Sequence, residues 1–269
     1  MRTLSIFAVA VLTLTPHAEA AAVLVDLGTS SIFSVLAGST ITNTGSSVIT
    51  GSVGLSPGTS ITGFPPGSVN GGSIFTADAV ALQAKNDLTT AFLAAANQPC
   101  GTSLSGQDLG GLTLTPGVYC FANSAQLTGA LTLNSLSDPN SVFLFQIGST
   151  LTTASNSSVL FTNGGKGERL FWQVGSSATL GTASAFAGNI LALSSITLTT
   201  GVAIPCGRVL ARNGAVTLDT NTVSNGAAGC LFAPTPGGGP GTGDIPEPST
   251  ASFLLLAAIP ALLWRARRQ

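Results

Sequence analysis

The chain has 269 residues and a formal net charge of −1, and is 44% hydrophobic but only 7% charged, with 33 glycines. So few charges exclude an electrostatic interface with nucleic acid and the steering of a charged substrate. The surface that meets water must instead be built from Ser, Thr, Asn and Gly. At the N-terminus Arg2, the apolar run Leu4 to Leu14 and the small residues of His17-Ala18-Glu19-Ala20 read as a secretory signal peptide over residues 1–20. One folded domain is expected over 21–233.

From Thr76 to Asn97, Ala77, Val80, Ala81, Ala84, Leu88, Ala91, Phe92 and Ala95 recur three or four apart, with Asp78, Lys85 and Asp87 on the other side. This predicts one amphipathic helix over about 76–97, with Thr76 as N-cap and Pro99 as the stop. A single apolar stripe of that length should lie against something large and flat. The four cysteines fall in two local pairs, Cys100 with Cys120 and Cys206 with Cys230, which fits disulfides in an exported protein; two other connectivities remain open. A zinc site is disfavoured, because no C-x-x-C pair exists and the only histidine lies in the signal peptide. No metal or other cofactor is expected.

The remainder reads as short strands with glycine corners, and it repeats. GNILALSSITLTTG from Gly188 can be laid on GRVLARNGAVTLDTN from Gly207, so that Gly188, Ile190, Leu191 and Ala192 fall on Gly207, Val209, Leu210 and Ala211. A shift of one residue then brings Thr197-Leu198-Thr199 onto Thr217-Leu218-Asp219. GSTLTTAS (148–155) resembles GSSATLGTAS (175–184), and LTL occurs at 112–114 and 131–133. A period near twenty residues with two or three strands each is the signature of a β-solenoid; a sandwich or jelly roll is the competing all-β reading. Alternation places Leu151, Leu180, Ile196, Leu198, Val216 and Leu218 inward. It places Thr150, Thr152, Thr179, Ser195, Thr197, Thr199 and Thr217 outward as a flat hydroxyl-bearing face. Asp219, outward at the end of this row, marks either the boundary of the face or its degeneration. Exposed threonine is also simply a good strand residue, so pattern alone does not separate a recognition face from an inert one.

Catalysis is not expected. The carboxylates Asp26, Asp78, Asp87, Asp108, Asp138, Glu168 and Asp219 are scattered singly, and no histidine follows the signal peptide to activate a nucleophile. Trp172 and Tyr119 sit in strand-like runs, LFWQV and GVYCF, where core packing is the expected role. A Pro/Gly-rich linker occupies 234–244 and cannot pack a core. The tail, 245–269, holds Pro246, Glu247 and Pro248, an apolar run from Ala251 to Trp264 interrupted by Pro260, and the basic residues Arg265, Arg267 and Arg268. That run is short against the ~20 residues a spanning helix needs.

Two resemblances complete the reading. The tail is similar to a PEP-CTERM sorting signal. That implies a Gram-negative host, a brief inner-membrane (transmembrane) stage, removal near Pro246 to Pro248 by an exosortase-type enzyme, and release to the cell surface or medium; a plain C-terminal anchor is the alternative. The segments LGTSSIFSVLAGSTITNTGSSVITGSVGLSPGTSITGFPPG (27–67), DLGGLTLTPGVYCF (108–121), LTGALTLNSLSDPNSVFLFQIGSTLTTAS (127–155), LFWQVGSSATLGTASAFAGNILALSSITLTTG (170–201) and GRVLARNGAVTLDTNTV (207–223) together resemble the bacterial and fungal ice-binding-protein-like (antifreeze) family. The resemblance implies an all-β protein with one long helix: a discontinuous right-handed β-solenoid of triangular cross-section, the helix packed along one face. It also implies a flat face that adsorbs to ice or ordered water. Some members carry a T-A/G-x-T/N motif beside that face. Thr153-Ala154-Ser155-Asn156 fits it, Thr182-Ala183-Ser184-Ala185 and Thr200-Gly201-Val202-Ala203 lose its last polar residue, and Thr220-Asn221-Thr222-Val223 departs further. Thr153, Ser155, Asn156, Thr182 and Ser184 are accordingly expected at the edge of the face. A cell-surface protein associated with extracellular polysaccharide is the alternative function.

Overall fold

The structure, a computed structural model, describes residues 21–226. The segments read above as signal peptide, linker and sorting tail, together with Cys230, lie outside the described residues. Short parallel strands stack coil on coil into three faces. The first face is a nine-stranded sheet, and the second has seven strands. The third consists of a three-stranded and a four-stranded sheet joined by single bridges at Ala185. A β-solenoid with a triangular section follows, as the repeats imply.

The register repeats the internal sequence alignment residue for residue. Gly188, Ile190, Leu191 and Ala192 pair with Gly207, Val209, Leu210 and Ala211, and Thr197 pairs with Thr217. At this corner the backbones approach so closely that a Cβ on Gly207 would stand 2.0 Å from the Gly188 carbonyl oxygen. No other residue fits there. Coils do not stack in chain order, however. The strand Phe33–Ala37 pairs with Gly207–Ala211 on one side and Ser52–Leu55 on the other, so the first coils of the chain extend the stack beyond its last coil.

Inside the triangle, aromatic side chains of successive coils stack, Tyr119 on Phe145 at 5.3 Å and Phe145 on Trp172 at 4.2 Å, and Phe186 of the same turn stands beside Trp172 at 5.0 Å. Trp172 is fully buried and its indole N–H donates to the Ala187 carbonyl at 2.9 Å, so both tryptophan and tyrosine are core residues as expected. Alternating residues on the outer side of the nine-stranded sheet form a second core with the helix, joining Phe33, Leu36, Leu191 and Leu210 to Ala84, Leu88, Ala91 and Phe92. The Cys100–Cys120 disulfide forms as expected and ties the chain just after the helix to a strand of the same sheet. Closing a loop of that size contributes about 3 kcal/mol in the chain-entropy account.

The helix spans Ala79–Ala96, shorter at its start than the periodicity implied. Thr76 ends a strand instead of capping, and the N-cap is Asp78, whose carboxylate accepts from the Ala81 N–H at 2.8 Å. Val80 is exposed, and Ala77 precedes the helix with a φ of 50°. At the other end the Gln146 amide donates to the Ala95 and Gln98 carbonyls, both at 2.8 Å, satisfying groups the helix leaves open. Asp87 anchors the helix to the chain before the first strand. Its carboxylate accepts from the Thr29 hydroxyl at 2.6 Å and the Thr29 N–H at 2.7 Å, which hold it below the usual carboxylate range. Among the described residues no helix is long and apolar enough to cross a membrane.

Lys85, which periodicity puts on the solvent side, is buried against the sheet. Its ammonium donates to the Ala211 carbonyl at 2.5 Å and to that of Arg212, closing the end of a strand. Burial, with the Arg212 charge adding to it, lowers its pKa to about 7. In the unfolded chain the value is about 10.4, so folding disfavours the charged form and stability is lowest below pH 7. It should rise as pH goes from about 7 to about 10, by an amount on the order of 2 kcal/mol. Urea unfolding at the two pH values checks this, and Lys85→Met should flatten the dependence; an equal slope in that variant would refute it.

Candidate functional site

The second face carries one pattern along its whole length. Its strands lie in the order Ala125–Leu127, Leu151–Thr153, Ala178–Leu180, Ile196–Leu198, Val216–Asp219, Thr40–Thr44, Ser60–Thr62. The register brings Gln126, Thr152, Thr179, Thr197, Thr217, Thr42 and Thr62 into a single outward row. Six threonines on consecutive strands ~4.8 Å apart give a ladder about 24 Å long. Thr42, Thr62, Thr152 and Thr217 are exposed, and Thr179 and Thr197 are half-buried by their neighbours. Beneath the ladder, Ile41, Leu151, Ala178, Ile196 and Val216 are fully buried, so each rung is fixed from below.

Among the described residues none of these six hydroxyls makes a hydrogen bond within the protein. Their methyls and hydroxyls are all presented to solvent. The flanking rows differ. Thr150 donates to the Ser124 hydroxyl at 2.8 Å, and the Ser195 hydroxyl accepts from the Ala215 N–H at 3.1 Å. Thr199 donates to the Leu180 carbonyl at 2.8 Å. Of the residues assigned to the face by alternation, Thr152, Thr179, Thr197 and Thr217 therefore form its unpartnered centre, whereas Thr150, Ser195 and Thr199 border it and brace adjacent coils.

The corner residues need partial correction. Ser155, Asn156 and Thr182 are exposed at the edge, as expected. Thr153 and Ser184 are not: both are buried, with 3% and 1% exposure, and their hydroxyls lie 3.1 Å apart. Thr153 also accepts from the Gly181 N–H at 2.9 Å. The reason is the strict alternation of the strand, which turns Thr153 inward once Thr152 faces out. What stacks at this corner is a run of left-handed residues, Asn156, Ala183, Gly201, Thr220 and Gly45, rather than copies of the motif in phase. Thr42 and Thr62 are missed by any reading that stacks coils in chain order. Their signal was the Thr-Ile-Thr of STITNTG and the Ser-Ile-Thr of TSITG, the same alternation as SITLTTG.

No charge interrupts the ladder. Asp219 pairs with Thr44 at the lateral edge, neither at the end of the stack nor within the central row. Its carboxylate accepts from the Thr200 hydroxyl at 2.5 Å and the Thr220 hydroxyl at 3.1 Å, so it bounds the face sideways. Asp108, beside Gln126 at one end, is pushed up by burial but held below the ordinary range overall by the Thr128 and Gly110 N–H groups and the Thr128 hydroxyl. Asp26 and Asp138 each accept from a nearby backbone N–H. Among the described residues no group of three His, Cys, Asp or Glu comes together that could hold a metal ion.

The comparisons with known proteins bear on this face. A family model described as Ice-binding-like matches residues 35–224. An ice-binding protein of Nostoc sp. (strain HG1) is 58% identical over 243 residues, covering 90% of this chain and 87% of that one. One from Flavobacterium frigoris (strain PS1) is 33% identical over 214 residues, covering 75% and 76%. The crystal structure of an ice-binding protein from an Antarctic biological consortium superposes with a TM-score of 0.74 at 46% identity, over 79% of this chain and 96% of that one. That of the Antarctic ascomycete Antarctomyces psychrotrophicus gives 0.72 at 43% identity, over 75% and 98%.

Proposed function

The chain belongs to the ice-binding-like family, and from that premise we propose that it adsorbs to ice through the threonine ladder of its second face. The observation that carries the assignment to this face is the row Thr152, Thr179, Thr197, Thr217, Thr42, Thr62, in which no hydroxyl is committed within the protein. Ice presents a fixed array of oxygen atoms. A rigid sheet presents hydroxyls and methyls at fixed spacing, so many weak contacts form together with little further ordering of the protein. Because no charged side chain stands in the row, bound water need not reorganise around an ion. The third face lacks this regularity: its corresponding row, Ala130, Ser158, Ala185, Ala203, Thr222, Val48 and Ser68, mixes apolar and polar residues.

The family is one of ice-binding proteins, not of enzymes, and no catalytic role is assigned to this chain. The commitment of Asp26, Asp78, Asp87, Asp108, Asp138 and Asp219 to hydrogen bonds with backbone N–H or hydroxyl groups supports that reading. Export by the N-terminal segment, and processing of the tail at Pro246 to Pro248 by an exosortase-type enzyme after transient membrane contact, complete the proposal and place the product at the cell surface or in the medium.

Incorporation into slowly growing ice, together with thermal hysteresis of the purified chain, tests the function directly. The protein should enter the ice fraction and shape crystals, and exclusion from ice at every concentration would reject it. Mass analysis of the product from its host tests the processing: the mature chain should lack Trp264 and the terminal arginines.

A further inference from the structure

We propose that Asn43 is a positioning residue for adsorption, holding the last rung of the threonine ladder, Thr62, in line with the other five. That rung is the least supported. Its strand, Ser60–Thr62, ends the seven-stranded sheet and pairs only with Thr40–Thr44, Thr40 with Ser60, Ile41 with Ile61 and Thr42 with Thr62. Thr42 has strands on both sides and the fully buried Ile41 next to it, whereas Ile61, next to Thr62, is only partly buried. Three residues of edge pairing open readily, so Thr62 stays in the row only if its strand is tied elsewhere.

Asn43 supplies the tie. It lies between Thr42 and Thr44 and points inward, at 6% exposure, in a column where Leu180 pairs with Leu198 and Asn43 itself with Leu218. Its amide nitrogen donates to the Gly63 carbonyl at 2.7 Å and to the Gly45 carbonyl at 2.9 Å. Gly45 forms the corner of Asn43's own coil and Gly63 directly follows Thr62, so one amide joins the corners of the last two coils of the stack. The backbones meet closely there: a Cβ on Gly63 would stand 1.9 Å from the Asn43 carbonyl oxygen.

The tie is made at the expense of the other end of the amide. Asn43 Oδ1 is fully buried and takes no hydrogen bond among the described residues. Turning the amide over would set Oδ1 against both carbonyls, so no orientation satisfies both ends. A leucine would continue the column and leave no orphan, and a buried acceptor without a donor is unfavourable. A polar residue that breaks an apolar column in this way marks a functional constraint. What Asn43 holds, and leucine could not, is the Gly63 carbonyl one residue from Thr62. The consequence for adsorption rests on the ladder being the ice-binding face; the consequence for the strand does not.

The test is Asn43→Leu, read by amide hydrogen exchange and by thermal hysteresis. Exchange protection in the strand Ser60–Thr62 should fall at least about tenfold, the effect of losing one net hydrogen bond, while protection in Ile196–Leu198 stays as in the parent. Tm should remain within roughly 4 °C of the parent's, because removal of the orphaned oxygen offsets the lost bonds. Hysteresis should fall about two- to fivefold, as one rung of simultaneous contact is lost. Adding Thr62→Ala should lower it no further, since both changes remove the same rung. Unchanged protection at Ser60–Thr62, additive losses in the double variant, or lost protection across all coils, which would make Asn43 a core residue only, each overturns the proposal. Full activity in Thr197→Tyr would reject the ladder itself, and the role in adsorption with it; unchanged local exchange where Thr197→Tyr has lost activity would reject Asn43 alone.

Discussion

Replacing Thr197 by tyrosine is expected to lower thermal hysteresis and ice incorporation about tenfold or more while leaving the fold intact. Thr197 stands between Thr179 and Thr217 in the ladder, with each neighbour ~4.8 Å away. A phenol ring there rises above both neighbouring hydroxyls and methyls and ends the flatness on which simultaneous contact depends. The fold should tolerate it, because the position faces outward on a strand and tyrosine is a good strand residue. Thr42→Tyr should be nearly as damaging, although Thr42 is separated from Thr197 by most of the chain, since the stack places it next to Thr217. Thr222→Tyr, on the third face, should leave activity within about twofold, as expected of an exposed strand position outside the contact. A native circular dichroism spectrum with full activity in Thr197→Tyr would remove the second face from the mechanism. Loss of activity in Thr222→Tyr but not in Thr197→Tyr would move adsorption to the third face.

Trp172→Ala is expected to destabilise the domain by about 3–5 kcal/mol, a large share of the ~5–15 kcal/mol by which domains are stable. The side chain is fully buried in the middle of the aromatic stack, against Phe145 on one side and Phe186 on the other. Truncation leaves a cavity shared by three coils, breaks the stacking contacts and orphans the Ala187 carbonyl, which now accepts from the indole N–H at 2.9 Å. In a solenoid each coil leans only on its neighbours, so damage at a central coil separates the two ends of the stack. Equilibrium unfolding in urea measures it. A loss below about 1.5 kcal/mol would mean that the stack relaxes around the gap, at odds with close packing at this coil.

Much of the architecture could be read from local pattern, because it follows from local rules. Period-two alternation is a property of the extended backbone, so the outward hydroxyls of Thr152, Thr179, Thr197 and Thr217 and the inward Leu151, Leu180, Ile196 and Val216 were legible from their strands alone. The glycine-led repeats predicted the pairing of 188–192 with 207–211 because equal strands at equal phase can be stacked in one register only. The helix and its buried side were legible for the same reason, with Ala84, Leu88, Ala91 and Ala95 all inside.

Three features depended on contacts between distant parts of the chain. Lys85 turned inward because the Ala211 and Arg212 carbonyls, more than a hundred residues away, offered its ammonium partners that periodicity cannot foresee. Thr153 and Ser184 became buried braces because their partners sit on adjacent coils. Above all, the length of the threonine ladder was decided by tertiary structure. Strand alternation determines which side chains face out, but not which coil lies next to which, since every parallel edge of similar register offers similar hydrogen bonds. Insertion of the first coils beyond the last, Thr42 beside Thr217 and Thr62 beyond it, is a choice of long-range packing, and it turns a four-rung face into one of six.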